Sequence, residues 1–205
     1  MRLAIDLDPN EARVLAALDR IEVPLSGRAL ARAAGLTQST AQRALARLRE
    51  AGLVVAEPAP PSLLYRVNRD HVAMAPLIAL IHLDDELRRR IAGHVRGWRP
   101  SAVSVVVYGS VARGQASPRS DVDLLVVRPD ATPPDDGPWQ EQVADLSERV
   151  RRWTGRRVSL VEMSRHEAGQ GMVEREPFLI EADREGWLIA GQALRRVEVA
   201  ERALA

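Results

Sequence analysis

Cysteine and lysine are absent from the 205 residues, and aromatic side chains make up only 3%. Without cysteine, the chain can have no disulfide, no thiolate nucleophile and no zinc held by sulfur. The four histidines, at 71, 82, 94 and 166, are scattered without metal-ligand spacing, so they read as surface or connector residues. No apolar run approaches the ~20 residues that span a bilayer. The opening Met1-Arg2-Leu3-Ala4-Ile5-Asp6 also lacks the apolar core of a signal peptide. The expectation is a cytoplasmic protein with no membrane partner. All 29 basic residues are arginine, which we read as GC-rich codon usage and not as chemistry. What is present suits globular folding: 46% hydrophobic residues, in a chain long enough for two small cores. The net charge of +1 is unevenly split. Residues 1–100 hold 15 arginines against 11 acids, whereas residues 101–205 hold 14 against 17. The basic half is the one suited to face nucleic acid.

In that half, Asp8-Pro9 opens a capped helix with apolar Val14, Leu15 and Leu18. Pro24 and Ser26-Gly27 end it. A second helix runs from Gly27 to Ala34 and stops at Gly35. Thr37 then caps a third, Gln38 to Glu50, with Leu45 and Leu48 turned to the core. Leu53–Ala56 and Leu63–Val67 form two short strands around a Pro-rich tip that carries Glu57 and no basic residue. Three helices and a hairpin make a winged helix-turn-helix, and residues 8–69 resemble the MarR/ArsR-like regulators. The resemblance implies double-stranded DNA as a partner, with the third helix in the major groove. Gln38, Ser39, Gln42 and Arg43 would then face the bases, and Arg47 or Arg49 the phosphates. A homodimer reading two half-sites is part of the same expectation.

Asp70 to Trp98 has helical spacing through Val72, Leu77, Ile78, Ile81, Leu87, Ile91 and Val95. Arg88-Arg89-Arg90 reads as a solvated face, paired at i, i+4 with Asp84, Asp85 and Glu86.

The most informative pattern comes next. The apolar stretch Val103–Tyr108 ends at Gly109-Ser110, ten residues pass, and Asp121 and Asp123 open a second apolar stretch, Leu124–Val127. Residues two apart on a strand share a face, so both carboxylates project together and can hold Mg²⁺ with the phosphates of a nucleotide. Gly109 allows close approach of a phosphate, and Ser110 adds a hydroxyl beside a helix start. Two acids pointing one way off a buried strand are costly without a cation.

Gly109-Ser110-Val111-Ala112-Arg113-Gly114 with Ser120-Asp121-Val122-Asp123-Leu124 resembles the signature of the DNA polymerase β-like nucleotidyltransferases, closest to their small "minimal" class. The ending Glu185-Gly186-Trp187-Leu188-Ile189-Ala190-Gly191 is similar too. The resemblance implies Asp121 and Asp123 as catalytic, metal-holding residues, and Gly109, Ser110, Arg113 and Ser120 around the nucleotide. It implies Mg²⁺ as cofactor and a nucleoside triphosphate, ATP foremost, as partner. The family commonly adds a third carboxylate on a later strand. Here Ser159, in Val158-Ser159-Leu160-Val161, lines up with that acid, and Glu162 faces the other way in a regular strand.

The fold class expected is α+β, a helix-rich winged domain followed by a mixed-sheet nucleotidyltransferase domain. Residues 1–69 form the first, 70–99 a helical connector and 100–205 the second. The remaining elements read as a Pro/Asp-rich loop at Pro129–Pro138 near the site edge, a helix at Trp139–Trp153, a loop holding Gly169 and Gly171, a helix at Val173–Arg184, a strand at Trp187–Ile189 and an Arg-rich closing helix. Two functions follow. One is a DNA-tethered enzyme that transfers a nucleotidyl group to an unknown hydroxyl. The other is a transcription regulator whose nucleotidyltransferase fold only senses nucleotide, as Ser159 favours.

Overall fold

Residues 7–197, except 22 and 118, are described by the computed structural model. The chain divides into two compact units, Met1–Asp84 and Asp85–Ala205.

The first unit starts with α1 (Pro9–Arg20), capped by the Asp8 carboxylate, which accepts from the N–H groups of Asn10 and Glu11. There follow β1 (Leu25–Ser26), α2 (Gly27–Ala33), α3 (Gln38–Glu50), β2 (Val54–Ala59) and β3 (Ser62–Val67). Thr37 caps α3 by accepting from the N–H of Thr40. Ala41, Ala44, Leu45 and Leu48 form the buried stripe of α3, at helical spacing. Ala44, Leu45 and Leu48 pack with Val14, Leu15, Leu18, Leu30 and Tyr65 into one core. Leu48 is 1% exposed, so Leu48→Ala would cost ~2–5 kcal/mol. The two-residue β1, absent from the sequence reading, pairs antiparallel with β3 and extends the hairpin to three strands.

Residues 70–99, read above as a connector, are shared between the units. In α4 (Met74–Ile81), Met74, Leu77, Ile78 and Ile81 join the first core. In α5 (Leu83–Val95), Leu87, Ile91 and Val95 join the second. Helical periodicity shows that a face is apolar but not which core receives it. The arginine triad is partly as expected. Arg90 pairs with Glu86 at 2.7 Å, but Arg89 also meets Glu86, and Arg88 pairs with Asp85 at i, i+3.

The second unit continues with β4 (Ser104–Tyr108), α6 (Gly109–Ala112), β5 (Val122–Arg128), α7 (Gly137–Thr154) and β6 (Val158–Ser164). It closes with α8 (Arg165–Glu174), α9 (Pro177–Glu185), β7 (Trp187–Gly191) and α10 (Leu194–Val197). The predicted closing helix falls mostly outside the described residues. The sheet order is β6-β5-β4-β7, with β5 and β6 parallel and the other pairs antiparallel, the expected mixed sheet. The parallel pair is joined through α7, as such a connection requires.

Strand alternation sorts the side chains between two layers. Val105, Val107, Val122, Leu124 and Val126 meet α5 and α7. Val106, Leu125 and Val127 meet α8, α9 and α10. The sequence reading of a loop at 169–171 is corrected: both glycines lie inside α8, whose Ser164–Glu167 capping box starts it. Gly171 is needed for contact, because an added Cβ would lie 2.5 Å from Leu179 Cδ1. The loop after Arg128 is corrected as well. It leaves the end of β5 opposite to Asp123, about 17 Å away along the strand, and is not at the site edge.

Candidate active site

The sheet register sets the centre. Tyr108 on β4 stands opposite Asp123 on β5, which stands beside Ser159 on β6. Asp123 shares its face with Leu125 and Val127, the side covered by α8 and α9. At the turn after β4, Gly109 has φ +70°, and an added Cβ would overlap Asp123 Oδ2 and lie 3.1 Å from its Cγ. A side chain at 109 therefore excludes the carboxylate from its place. Ser110 is half-buried in the single turn of α6, and its carbonyl accepts from the N–H of Gln115 at 2.9 Å.

Asp121 is exposed and directly precedes β5. Arg156 braces the approach, donating from Nη1 to the carbonyls of Ser117 and Ser120, the latter at 3.0 Å. The Ser120 hydroxyl accepts from the N–H of Ser117 at 2.9 Å and lies 3.1 Å from the Ser117 hydroxyl. Ser120, read above as a nucleotide ligand, thus uses its hydroxyl to close this loop.

Arg113 follows α6. Its Nη1 donates to Glu181 on α9 and lies 3.8 Å from Glu185, and its Nε donates to Gln115 at 3.3 Å. Trp187 Nε1 donates to the carbonyl of Ala112 at 2.9 Å, and the Arg88 guanidinium covers that indole at 3.9 Å. Burial and then the Asp121 charge push the Asp123 carboxyl above its usual range, Arg113 pulls it back, and Glu181 pushes it up. Burial, Asp123 and Glu181 also raise the Tyr108 phenol.

Comparison with known proteins identifies both domains. Residues 5–62 match the MarR family, and residues 89–184 match the nucleotidyltransferase domain. A MarR-type winged helix is joined to a nucleotidyltransferase domain. A curated relative is the bifunctional uridylyltransferase/uridylyl-removing enzyme of Burkholderia thailandensis, 35% identical over 112 residues. The match takes in 47% of this chain and spans only 12% of that enzyme's length. Two solved toxin–antitoxin structures, one of MntA–HpeT and one with AMP-PNP, are 15% and 17% identical. Each match covers 57% of this chain and 85% of the other, at a TM-score of 0.37, too slight a likeness to assign a function.

The nucleotidyltransferase domain brings Gly109, Ser110, Asp121, Asp123 and Arg113 to one place. Among the described residues, no three His, Cys, Asp or Glu side chains are grouped to hold a metal. Two carboxylates two residues apart, Asp123 raised by burial and then by the Asp121 charge, instead fit Mg²⁺, which is commonly bound through one or two carboxylates plus the phosphates of a substrate. Glu162 takes no part. On the opposite face it accepts from Trp139 Nε1 at 2.8 Å and Gln140 Nε2 at 3.0 Å, and pairs with Arg128 at 3.2 Å. The sequence reading missed Arg156 and Glu181. For Glu181 the available signal was the spacing of Phe178, Glu181 and Glu185 on a helix.

In the winged helix, Gln38, Ser39, Gln42, Arg43 and Arg49 are exposed along α3. Arg47 is placed otherwise than as a phosphate ligand. Its Nε lies 2.7 Å from Glu11, and its Nη1 lies 3.2 Å from Asp8. It ties α3 to the start of α1, because Glu11 is buried there and needs a cation. On the hairpin, Arg66 is paired with Glu57 at 2.8 Å. No helix among the described residues is long and apolar enough to cross a membrane.

Proposed function

We propose that the nucleotidyltransferase domain transfers a nucleotidyl group from a nucleoside triphosphate, ATP first, to a hydroxyl acceptor, while the winged helix binds double-stranded DNA. The carrying observation is the Asp123 carboxylate seated against Gly109, with Asp121 two residues away. Asp121 and Asp123 would hold Mg²⁺, which when bound neutralises phosphate charge and aligns the α-phosphorus. Gly109 lets the Asp123 carboxylate sit against the turn, and Arg113 adds a fixed positive charge. The acceptor hydroxyl attacks the α-phosphorus, its proton passes to solvent and pyrophosphate leaves, with positioning and charge supplying the rate in place of a strong protein base. Exposed Gln38, Ser39, Gln42 and Arg43 support the DNA reading, with Arg43 on phosphate or base. A homodimer is supported by α4, since residues 71–83 carry no arginine or acid and Leu80 is 61% exposed. A cytoplasmic location belongs to the same reading.

Ser159 favours a second reading, a regulator that binds nucleotide without transferring it. A hydroxyl beside Asp123 is neither a good Mg²⁺ ligand nor a base near neutral pH.

The test is calorimetry of ATP and GTP with and without Mg²⁺, on wild type and Asp121→Ala/Asp123→Ala. Incubation with α-labelled nucleotide and cell extract follows. Mg²⁺-dependent binding with label transfer, both lost in the double variant, supports the enzyme. Binding without transfer supports the regulator, and Ser159→Asp should then raise Mg²⁺ affinity about tenfold by adding a carboxylate opposite Asp123. No binding overturns both.

A further inference from the structure

Glu181 stands on α9, an element that neither the Gly-Ser nor the Asp-x-Asp signature includes. Phe178, Glu181 and Glu185 lie three and four residues apart and share a helix face. Phe178 meets the Tyr108 ring at 6.4 Å, Glu181 accepts from Arg113 Nη1, and Glu185 lies 3.8 Å from the same nitrogen. The helix behind them is firmly seated, with Leu179 and Ala182 at 1% and 2% exposure. Arg113 is held on two sides. Trp187 fixes the turn before it through Ala112, and Glu181 and Gln115 fix its guanidinium. Of the five guanidinium hydrogens, the two on Nη2 meet no acceptor among the described residues. Phe178, on the same face as Glu181, packs on Tyr108, which stands opposite Asp123 in the sheet, so the pair lies beside the proposed metal-holding carboxylate.

We propose that Glu181 is a positioning residue of the nucleotide site, aiming the free Nη2 hydrogens of Arg113 at the phosphates of a triphosphate seated over Gly109 and Asp123. The inference rests on the nucleotide reading above. It assigns the site an acid from a helix, where Ser159 leaves the sheet without the third one, and that acid works through Arg113 and not through the metal. A guanidinium left untethered would have to be ordered by each arriving nucleotide, and that ordering lowers affinity.

The experiment is Mg²⁺·ATP binding by calorimetry on the full chain, for wild type, Glu181→Ala, Glu181→Gln, Arg113→Ala and the Arg113→Ala/Glu181→Ala pair. Melting curves check the fold, and Glu181→Ser replaces the alanine variant if that one does not fold. Glu181→Ala should weaken binding about tenfold, the scale of one charge-assisted hydrogen bond. Glu181→Gln keeps an acceptor oxygen for Nη1 and should stay within about threefold of wild type. The double variant should bind no worse than Arg113→Ala, because Glu181 then has nothing left to position. Wild-type affinity in Glu181→Ala, a Gln variant as weak as Ala, or losses that add in the double variant would overturn the inference alone. A wild type that binds no nucleotide overturns the nucleotide reading and this inference with it.

Discussion

The two units carry their candidate sites in opposite ways. In the winged helix, the residues proposed to meet DNA are exposed points along one helix, and the core lies behind them on the other face. In the nucleotidyltransferase domain, the proposed nucleotide site draws on the β4–α6 turn, β5 and α9, and burial and neighbouring charges raise the Asp123 carboxyl. A surface stripe can change one side chain at a time. A constellation built on strand register cannot, because Gly109, Asp123 and Ser159 are each placed by their neighbours.

The sharpest way to break this contrast is Gly109→Ala beside Gly114→Ala. Both glycines have positive φ, 70° and 65°, but only Gly109 has a carboxylate where the new Cβ would go, and Gly114 has open space. Gly114→Ala should cost ~1 kcal/mol of stability, from the left-handed backbone alone. Gly109→Ala should cost more and abolish nucleotide binding, read by melting and calorimetry. Next in size, Arg47→Ala should destabilise the winged helix by ~1–2 kcal/mol, because it leaves buried Glu11 without its cation. Arg43→Ala should leave the melting temperature unchanged, weaken DNA binding and reduce the salt slope by about one. If the two arginines exchange these phenotypes, α3 is not the free surface described. The smallest effect concerns His94. Burial holds its imidazole below its usual titration range, against the upward pull of Asp145 at 3.5 Å. The unfolded chain therefore takes up the proton more readily. The associated stability is present above pH ~6.5 and is lost as pH falls. Melting between pH 7.5 and 5.5 should drop by roughly 1–2 °C less in His94→Gln than in wild type.

Much of the fold was legible where local chemistry decides structure. Asp8, Thr37 and the apolar stripe of α3 mark helix ends and faces within a few residues of sequence. The two-residue period placed Asp123 away from Leu124, and the alignment of Ser159 with the missing acid agrees with its place beside Asp123. Illegible features depend on partners far along the chain. Arg47 meets Asp8 from 39 residues away, Arg156 meets Ser117 from 39, and Arg113 meets Glu181 from 68. The two-residue β1 is too short to show any period. Gly169 and Gly171 read as a loop because glycine is a poor helix former, whereas Gly171 is required by the approach of Leu179.

One pairing has a consequence for the order in which the protein comes into being. β4 bonds to β7 across about eighty residues, with Val107 opposite Trp187. The winged helix makes all its pairings before residue 70. During synthesis, domains fold as units from the N-terminal side, and long-range pairings come late. A nascent chain therefore owns a finished winged helix well before the ribosome has supplied the strand that completes the sheet around Asp123. The emerging protein acquires its oldest-synthesised fold first and its chemistry last.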